Sequence, residues 1–239
     1  MALILALDTA TEACSVALYD TERAIRSSQD GRQDGLNEIY EVIPREHSQR
    51  LLPMIDELLA STGVRRSQID ALAFGRGPGA FTGVRIATGV VQGLAWALDR
   101  PVVPVSTLAA LAQQAWRCHG AEQVLALIDA RMEETYWGLY HRENGLMQLQ
   151  GEEHVTAPEQ LVTMLPAPIT DGLVGIGTGW CYRERLNIAV AKEVEQAWPH
   201  AADIAVLAAP IFLAGGAVQA EQALPVYLRD KVALKKSER

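Results

Sequence analysis

The sequence predicts an α/β fold in which one unit of mixed β-sheet and helices occurs twice. In each half the apolar and polar patterns follow one order: three strands, a helix, a strand, a glycine-rich turn and a helix. The first strand of each half ends in an aspartate followed by a small residue, Asp8-Thr9 and Asp129-Ala130. The chain has 239 residues, of which 49% are hydrophobic, so two lobes can each bury a core. We therefore expect two mixed-sheet lobes with a cleft between them.

The first predicted lobe comprises residues 1–104. Continuous apolar runs predict buried strands at 3–7 and 69–74. Weaker patterns predict two further strands at 14–19 and 23–29. Residues 31–35 are expected to form a polar loop, whereas residues 37–43 favour neither a helix nor a strand. One-sided and continuous apolar patterns predict helices at 47–60 and 84–98.

The second predicted lobe comprises residues 105–214. Ser106 or Thr107 can cap a helix that reaches about residue 118, and Thr156 or Ala157 can open a shorter one. Asn144-Gly145 is a strong hairpin signal. The strands of this half are predicted at 123–128, 134–140, from 146 onward and 173–176, and a strand at 101–105 leads into them. The shorter helix is predicted at 158–165 and a third helix at 201–214. The final segment, 215–239, ends basic and is expected to pack back on the first lobe.

The charge balance limits the classes of function. With 21 basic and 29 acidic residues the net charge is −8, which disfavours a self-sufficient nucleic-acid binder. A subunit whose partner carries the basic surface remains compatible with this negative net charge. Cys14, Cys118 and Cys181 are far apart and odd in number, so we expect reduced thiols in a cytosolic protein. The N-terminal apolar run has no basic lead and no run reaches transmembrane length, so a cytoplasmic protein without membrane contact is predicted.

A glycine-rich loop connects the predicted strand that ends at Phe74 to the helix that begins at Val84. It carries Gly75, Gly77, Gly79 and Gly83. Such a loop can present backbone N–H groups and a helix N-terminus to an anion, with Arg85 adding a charge. It can equally be a tight turn that permits close packing. It lacks the Gly-Lys-Ser/Thr ending of a P-loop, and its glycine spacing does not match G-x-G-x-x-G.

Several stretches then resemble one known family. They are Ile4-Leu5-Ala6-Leu7-Asp8-Thr9-Ala10-Thr11, Glu46-His47-Ser48-Gln49-Arg50-Leu51-Leu52-Pro53, the loop from Gly75 to Ile86, Val105-Ser106-Thr107-Leu108, Ile128-Asp129-Ala130-Arg131-Met132 and Pro225-x-Tyr227-Leu228-Arg229. They look like the TsaB family, also called YeaZ, most specifically over roughly the first 140 residues. That resemblance implies a duplicated RNase H-like/actin-like ATPase (ASKHA) fold, shared with actin, sugar kinases and heat-shock ATPases.

The resemblance also implies a role in placing threonylcarbamoyladenosine next to the anticodon of tRNAs that read ANN codons. In that system TsaD transfers the threonylcarbamoyl group, a small ATPase, TsaE, joins the complex, and TsaB is the non-catalytic paralogue of TsaD. The implied partners are therefore TsaD and TsaE, with tRNA reached indirectly through the complex and a homodimer formed alone. No cofactor is expected on the chain alone, with ATP or ADP a candidate at the interface with TsaD.

The residues agree with a non-catalytic role. A TsaD-type metal site needs two histidines four apart on a helix, but Leu51 stands four residues after His47. The hairpin of residues 8–15 contains no glycine, so a close approach to phosphate is disfavoured. Asp8, Glu12 and Asp129 can hold metal and water in active relatives, or they can cap turns, which we favour. The glycines at 175, 177 and 179 either hold adenosine or only turn the chain. We thus assign no catalytic, cofactor-binding or metal-binding residues.

A partner surface is expected on two helices. The helix over 84–98 is apolar nearly all round, and two of its glycines lie four residues apart, so a second helix can approach closely. The alternative is that the second half of the chain covers this surface. The resemblance implies that one patch serves both homodimer and heterodimer. The predicted patch comprises Leu51, Met54, Ile55, Leu58, Arg85, Ile86, Gly89, Val90, Gly93, Leu94 and Ala97.

Two other functions are compatible with this fold. A stand-alone ATPase or small-molecule kinase would need an intact phosphate loop and metal-binding carboxylates. A peptidase acting on TsaD is the weaker alternative, because the sequence has no Gly-x-Ser-x-Gly elbow. Ser48 is too close in sequence to His47 for a serine-hydrolase arrangement. Nucleotide turnover and cleavage of TsaD, respectively, would distinguish these alternatives from the accessory role.

Overall fold

The computed structural model describes residues 1–29, 35–166 and 169–229. Within these ranges the chain forms two five-stranded mixed sheets. Most of the predicted polar loop at 31–35 and the basic end of the tail lie outside the described residues, as do the side chains of residues 26–29.

The strands of the first sheet are β1 (Leu3–Asp8), β2 (Ala13–Asp20), β3 (Leu36–Val42), β4 (Ala71–Gly75) and β5 (Val102–Val105). Their spatial order is β3-β2-β1-β4-β5. Strand β2 runs antiparallel to β1 and β3, whereas β4 and β5 run parallel to β1. The helices of this half are α1 (Thr21–Gln29), α2 (His47–Thr62) and α3 (Phe81–Leu98).

The second sheet repeats the first. Its strands are β6 (Gln123–Asp129), β7 (Thr135–Glu143), β8 (Leu146–Thr156), β9 (Val174–Ile176) and β10 (Lys192–Val194). Their spatial order is β8-β7-β6-β9-β10. Strand β7 runs antiparallel to β6 and β8, whereas β9 and β10 run parallel to β6. The helices are α4 (Thr107–His119), α5 (Pro158–Met164), α6 (Arg183–Leu186) and α7 (Ala201–Leu213). The predicted duplicated α/β fold with two mixed-sheet lobes is confirmed.

The predicted strand at 23–29 is wrong, because these residues belong to helix α1. The Asp20 carboxylate accepts hydrogen bonds from the backbone N–H groups of Glu22 and Arg23, at 3.0 and 3.1 Å, and so caps the helix. The third strand of the sheet is instead β3, in the segment whose pattern favoured neither state. The five strands of the first sheet were therefore predicted in number with one of them misplaced, whereas the strand at Lys192–Val194 in the second sheet was not predicted.

Helix α7 packs on the first sheet, although it follows the strands of the second. Its residues Ile204, Ala205 and Ala208 lie in one buried cluster with Ile4 of β1 and Ala73 of β4. This differs from the predicted second lobe of 105–214, which included the helix. The amphipathic pattern of a helix does not say which sheet will receive its apolar face.

The segment after α7 lies against the first lobe. The backbones of Val218 and Val102 exchange two hydrogen bonds of 2.8 Å, which extends the sheet beside β5. A single helical turn follows at Ala220–Gln222, and Ala220 and Ala223 are buried in the core beneath α3. The first sheet is thus covered by α2 and α3 on one face and by α7 on the other.

Candidate functional site

The glycine-rich loop packs directly on the β1–β2 hairpin. A Cβ added at Gly79 would overlap the carbonyl oxygen of Ala10, and one added at Gly83 would overlap that of Thr9. The Thr9 hydroxyl donates to the Gly83 carbonyl at 2.7 Å, and the Ala80 N–H donates to Ala10 at 2.7 Å. Of the two interpretations of the loop, the geometry supports close packing, because protein backbone fills the space beside these glycines. Helix α3 begins at Phe81, three residues before the predicted start.

Asp8 lies buried beneath this loop. One carboxylate oxygen accepts from the Ala10 N–H at 3.0 Å, and the other has no partner within the described residues. Burial raises the pKa of Asp8 to about 7, and the hydrogen bond from Ala10 opposes that rise. A side chain at Gly75 would overlap the unpartnered oxygen. Asp8 is therefore enclosed by protein and does not reach the space between the lobes.

A cleft of about 700 Å³ separates the two lobes. Glu12 on the first lobe accepts hydrogen bonds from Arg131 Nη2 at 3.2 Å and from Trp198 Nε1 at 3.1 Å. Arg131 also binds Asp129, through Nη1 at 2.9 Å and through its backbone N–H at 2.9 Å. The hydroxyl of Tyr182 donates to the same carboxylate at 3.2 Å. Asp129 thus accepts from the backbone N–H two residues further on, as expected for a carboxylate that caps a turn. Glu12 instead accepts from two side chains that are distant in sequence.

Both arginines that line the cleft in the described part of the chain have carboxylate partners: Arg131 pairs with Glu12 and Asp129, and Arg229 pairs with Glu134. Across the region where related folds hold adenosine, a Cβ at Gly175 would overlap the Trp180 ring. Among the residues that the structure describes, no cluster of three His, Cys, Asp or Glu side chains could hold a metal ion.

His47 begins α2 and is buried. Its Nε2 lies 3.2 Å from the carbonyl oxygen of Ala13 on β2, so the side chain ties the helix to the first sheet. Leu51, in the position of a second metal ligand, lies in the core. Ser48, the residue after His47, is exposed. This arrangement fits neither a metal pair nor a serine nucleophile beside its base.

The predicted partner patch splits into buried and exposed residues. The four residues of α2 are 0–2% exposed and pack in the core of the first lobe: Leu51, Met54, Ile55 and Leu58. Their assignment to a contact surface is wrong for this chain as it stands, because the apolar face of α2 covers its own sheet. The α2 surface instead presents Leu52, which is half exposed, and a row of polar and charged residues.

The residues of α3 provide the exposed part of the patch, which we call the α3 face. Arg85, Gly89, Gly93 and Ala97 are exposed, whereas three neighbours are partly buried against the core: Ile86, Val90 and Leu94. Among the described residues, no atom outside the helix lies within 4 Å of a Cβ built at Gly89 or Gly93. Trp96 lies on the same side of the helix and is 80% exposed. The predicted patch did not include Trp96, although Trp96 follows Gly93 by three residues and therefore lies on the same side of the helix.

No helix in the described part of the chain is long and apolar enough to cross a membrane.

Comparison with known proteins gives a consistent result. Residues 39–236 match the family described as "TsaD: tRNA N6-adenosine threonylcarbamoyltransferase". The tRNA threonylcarbamoyladenosine biosynthesis protein TsaB of Escherichia coli (strain K12) is 46% identical over 237 residues, covering 98% of this chain and 97% of that protein. TsaB of Haemophilus influenzae is 41% identical over 242 residues, covering 98% and 96%. A solved structure of YeaZ from Pseudomonas aeruginosa is 53% identical with a TM-score of 0.85, covering 95% and 100%.

Proposed function

The chain belongs to the TsaB family of tRNA threonylcarbamoyladenosine biosynthesis proteins, and from that membership we propose that it is a non-catalytic accessory subunit. It pairs with TsaD, joined by TsaE, for transfer of the threonylcarbamoyl group to the adenosine next to the anticodon. The observation that carries this proposal is a contrast between two surfaces. The α3 face is exposed and open at two glycines, whereas the cleft expected of an ATPase is bridged by the ion pair of Arg131 with Glu12.

The partner binds at the α3 face. Gly89 and Gly93 lie one helical turn apart with open space above them, so the backbone of a second helix can approach closely. Trp96 lies at the end of this row and offers a large exposed ring of the kind that anchors protein interfaces. The same face serves a homodimer when the chain is alone and TsaD when it is present, so the two assemblies compete.

Three further features complete the proposal. The subunit acts in the cytoplasm, where its tRNA substrates are. It reaches tRNA through the complex rather than by its own surface, in keeping with a net charge of −8. Any ATP or ADP is held at the interface with TsaD, because both arginines that line the cleft in the described part of this chain are already paired with carboxylates.

The test is reconstitution of the tRNA modification from purified components. The adenylate-forming enzyme, TsaD and TsaE are combined with substrate tRNA, with and without this chain, and the chain alone is assayed for ATP hydrolysis and for cleavage of TsaD. Modification that depends on the chain, without turnover or cleavage by the chain alone, is the expected result. Robust ATP hydrolysis by the chain alone, with no effect on modification, would support the ATPase or kinase function instead. Cleavage of TsaD would support the peptidase function.

Two glycine variants connect that activity to the α3 face. Gly93→Leu should remove both TsaD binding and the modification that depends on it, because the added side chain stands where the partner helix must pass. Gly172→Leu is the matched control, since Gly172 lies on an exposed turn of the second lobe with open space beside it. Retention of full binding by Gly93→Leu would place the interface elsewhere.

A further inference from the structure

The segment of residues 223–229, which we call the strap, connects α3 to the second lobe across the mouth of the cleft. At its start, Gln92 of α3 donates from Nε2 to the Ala223 carbonyl at 3.0 Å. At its middle, the Val226 N–H donates to the Arg76 carbonyl at 2.8 Å. A Cβ at Gly77 would lie 2.9 Å from the Val226 carbonyl oxygen, so the strap rests closely on the glycine-rich loop.

Tyr227 joins the strap to the end of the α3 face. Its ring centroid lies 5.8 Å from that of Phe81, which is in the first turn of α3. The guanidinium carbon of Arg85 lies 3.2 Å from the Phe81 centroid and 5.3 Å from the Tyr227 centroid. A guanidinium over aromatic rings is attracted to them, and the attraction strengthens when water is removed. Arg85 is thus both a member of the α3 face and a contact that holds the strap.

Arg229 carries the strap to the second lobe. Its Nη2 donates to the Arg131 carbonyl at 3.3 Å and forms an ion pair with the Glu134 carboxylate. Its Nη1 lies 3.6 Å from the sulfur of Met132. The Arg229 side chain is largely buried in these contacts. All three partners belong to the turn between β6 and β7.

That turn has an uncommon backbone. Arg131, Met132 and Glu133 have φ values of 62, 54 and 59°, three consecutive non-glycine residues in the left-handed region. Each such residue costs free energy, so the conformation persists when surrounding contacts specify it. The first lobe contributes through Glu12, which binds Arg131, and the strap contributes through Arg229. The turn depends on contacts from both sides of the cleft.

We propose that the strap is a coupling device, through which occupation of the α3 face stabilises the β6–β7 turn on the far side of the cleft. A partner on the α3 face buries Arg85 and strengthens its contacts with Phe81 and Tyr227. The strap then holds Arg229 more tightly on the turn and strengthens the connection between the lobes. This partner-dependent step rests on the proposed pairing with TsaD, whereas the role of the strap in the free chain does not.

Hydrogen exchange of two turn amides tests the device. The Ala130 N–H donates to the Glu134 carbonyl at 2.9 Å, and the Glu134 N–H donates to the Arg131 carbonyl at 3.1 Å. Both amides exchange with solvent only when these hydrogen bonds of the turn break, so their exchange rates report its local stability. We expect Arg229→Ala and Tyr227→Ala to speed their exchange about tenfold and Arg85→Ala to speed it several-fold. The matched control is Arg142→Ala, which removes an exposed ion pair with Glu122 at the opposite end of the same hairpin.

The same amides are then followed with TsaD bound. Exchange that slows in the wild-type complex, and fails to slow in an Arg229→Ala chain that still binds TsaD, is the expected result. A complex that forms without change in the wild-type amides would overturn the coupling while leaving the proposed pairing intact. The absence of any complex would instead count against the pairing. Unchanged exchange in free Arg229→Ala and Tyr227→Ala would overturn the strap itself.

Discussion

The Thr9 hydroxyl donates a hydrogen bond to the Gly83 carbonyl at 2.7 Å, and the Thr9 carbonyl in turn fills the space where a Gly83 side chain would lie. These two buried residues join the β1–β2 hairpin to the first turn of α3. The hairpin therefore fixes one side of the first turn of α3, whereas Gly79, Ala80 and Phe81 at the N-terminus of the helix line the cleft.

This packing makes the glycines of α3 unequal. Gly83→Ala should lower the free energy of unfolding by about 1–3 kcal/mol, because the new methyl group overlaps a buried carbonyl. Gly89→Ala, in the same helix with open space beside it, should raise the free energy of unfolding by about 0.5–1 kcal/mol through the better helix propensity of alanine. Urea denaturation of both variants measures the difference, and equal effects would contradict the packing described for Gly83.

Asp8 should make stability depend on pH. Its pKa is about 7 in the folded protein against 3.8 for a free side chain, so the folded state retains a proton that the unfolded chain releases. The contribution of Asp8 to stability is therefore present below about pH 4 and is lost as the pH rises through 7. Between about pH 4 and 7, the free energy of unfolding of Asp8→Asn should therefore rise relative to that of the wild type by about 1.4 kcal/mol per pH unit. Denaturation of both proteins at pH 4.5, 5.5, 6.5 and 7.5 checks this, and a constant difference would contradict it.

Arg117 and Asp203 form an ion pair between α4 and α7. Two hydrogen bonds of 2.9 and 2.7 Å join them, and the Asp203 side chain is fully buried. Arg117→Leu should cost about 3–5 kcal/mol of unfolding free energy, because it leaves a buried carboxylate without its partner. Adding Asp203→Asn should recover part of that loss. A double-mutant cycle measures the coupling, and additive effects would show that the pair is energetically independent.

Trp96 should matter for assembly and little for folding. Because its ring is exposed, Trp96→Ser should change the free energy of unfolding by no more than about 0.5 kcal/mol. The same variant should weaken TsaD binding about tenfold or more, as expected of an aromatic anchor in an interface. Leu213→Ser, which alters an exposed apolar residue at the end of α7, is the control. Calorimetric titration of TsaD with each variant gives the comparison, and equal affinities would remove Trp96 from the interface.

The sequence predicts the fold well where short-range patterns determine it. Strands β1, β4 and β6 read as apolar runs because they are buried on both faces, and the duplicated order follows from them. The pattern of residues 23–29 predicts a strand, but these residues form helix α1, which the Asp20 carboxylate caps. Strand β3 was unclear because it lies at the sheet edge and is half exposed.

The candidate site is less predictable, since it depends on contacts distant in sequence. The apolar residues of α2 look the same whether they cover their own sheet or a partner, so Met54 and Leu58 were assigned to the wrong one. The cap-like role expected of Asp129 agrees with its contacts, but its partner Arg131 could be identified only in three dimensions. The placement of α7 on the first sheet likewise depends on packing that local periodicity does not encode.

That placement has a consequence for how the protein is made. Helix α7 covers one face of the first sheet, and Ala220 and Ala223 help to cover the other, yet all follow the whole second lobe in the chain. While the ribosome is still synthesising the second lobe, the first sheet has no cover for the face that α7 will occupy. We therefore expect that face of the first sheet to remain exposed until α7 has left the ribosome.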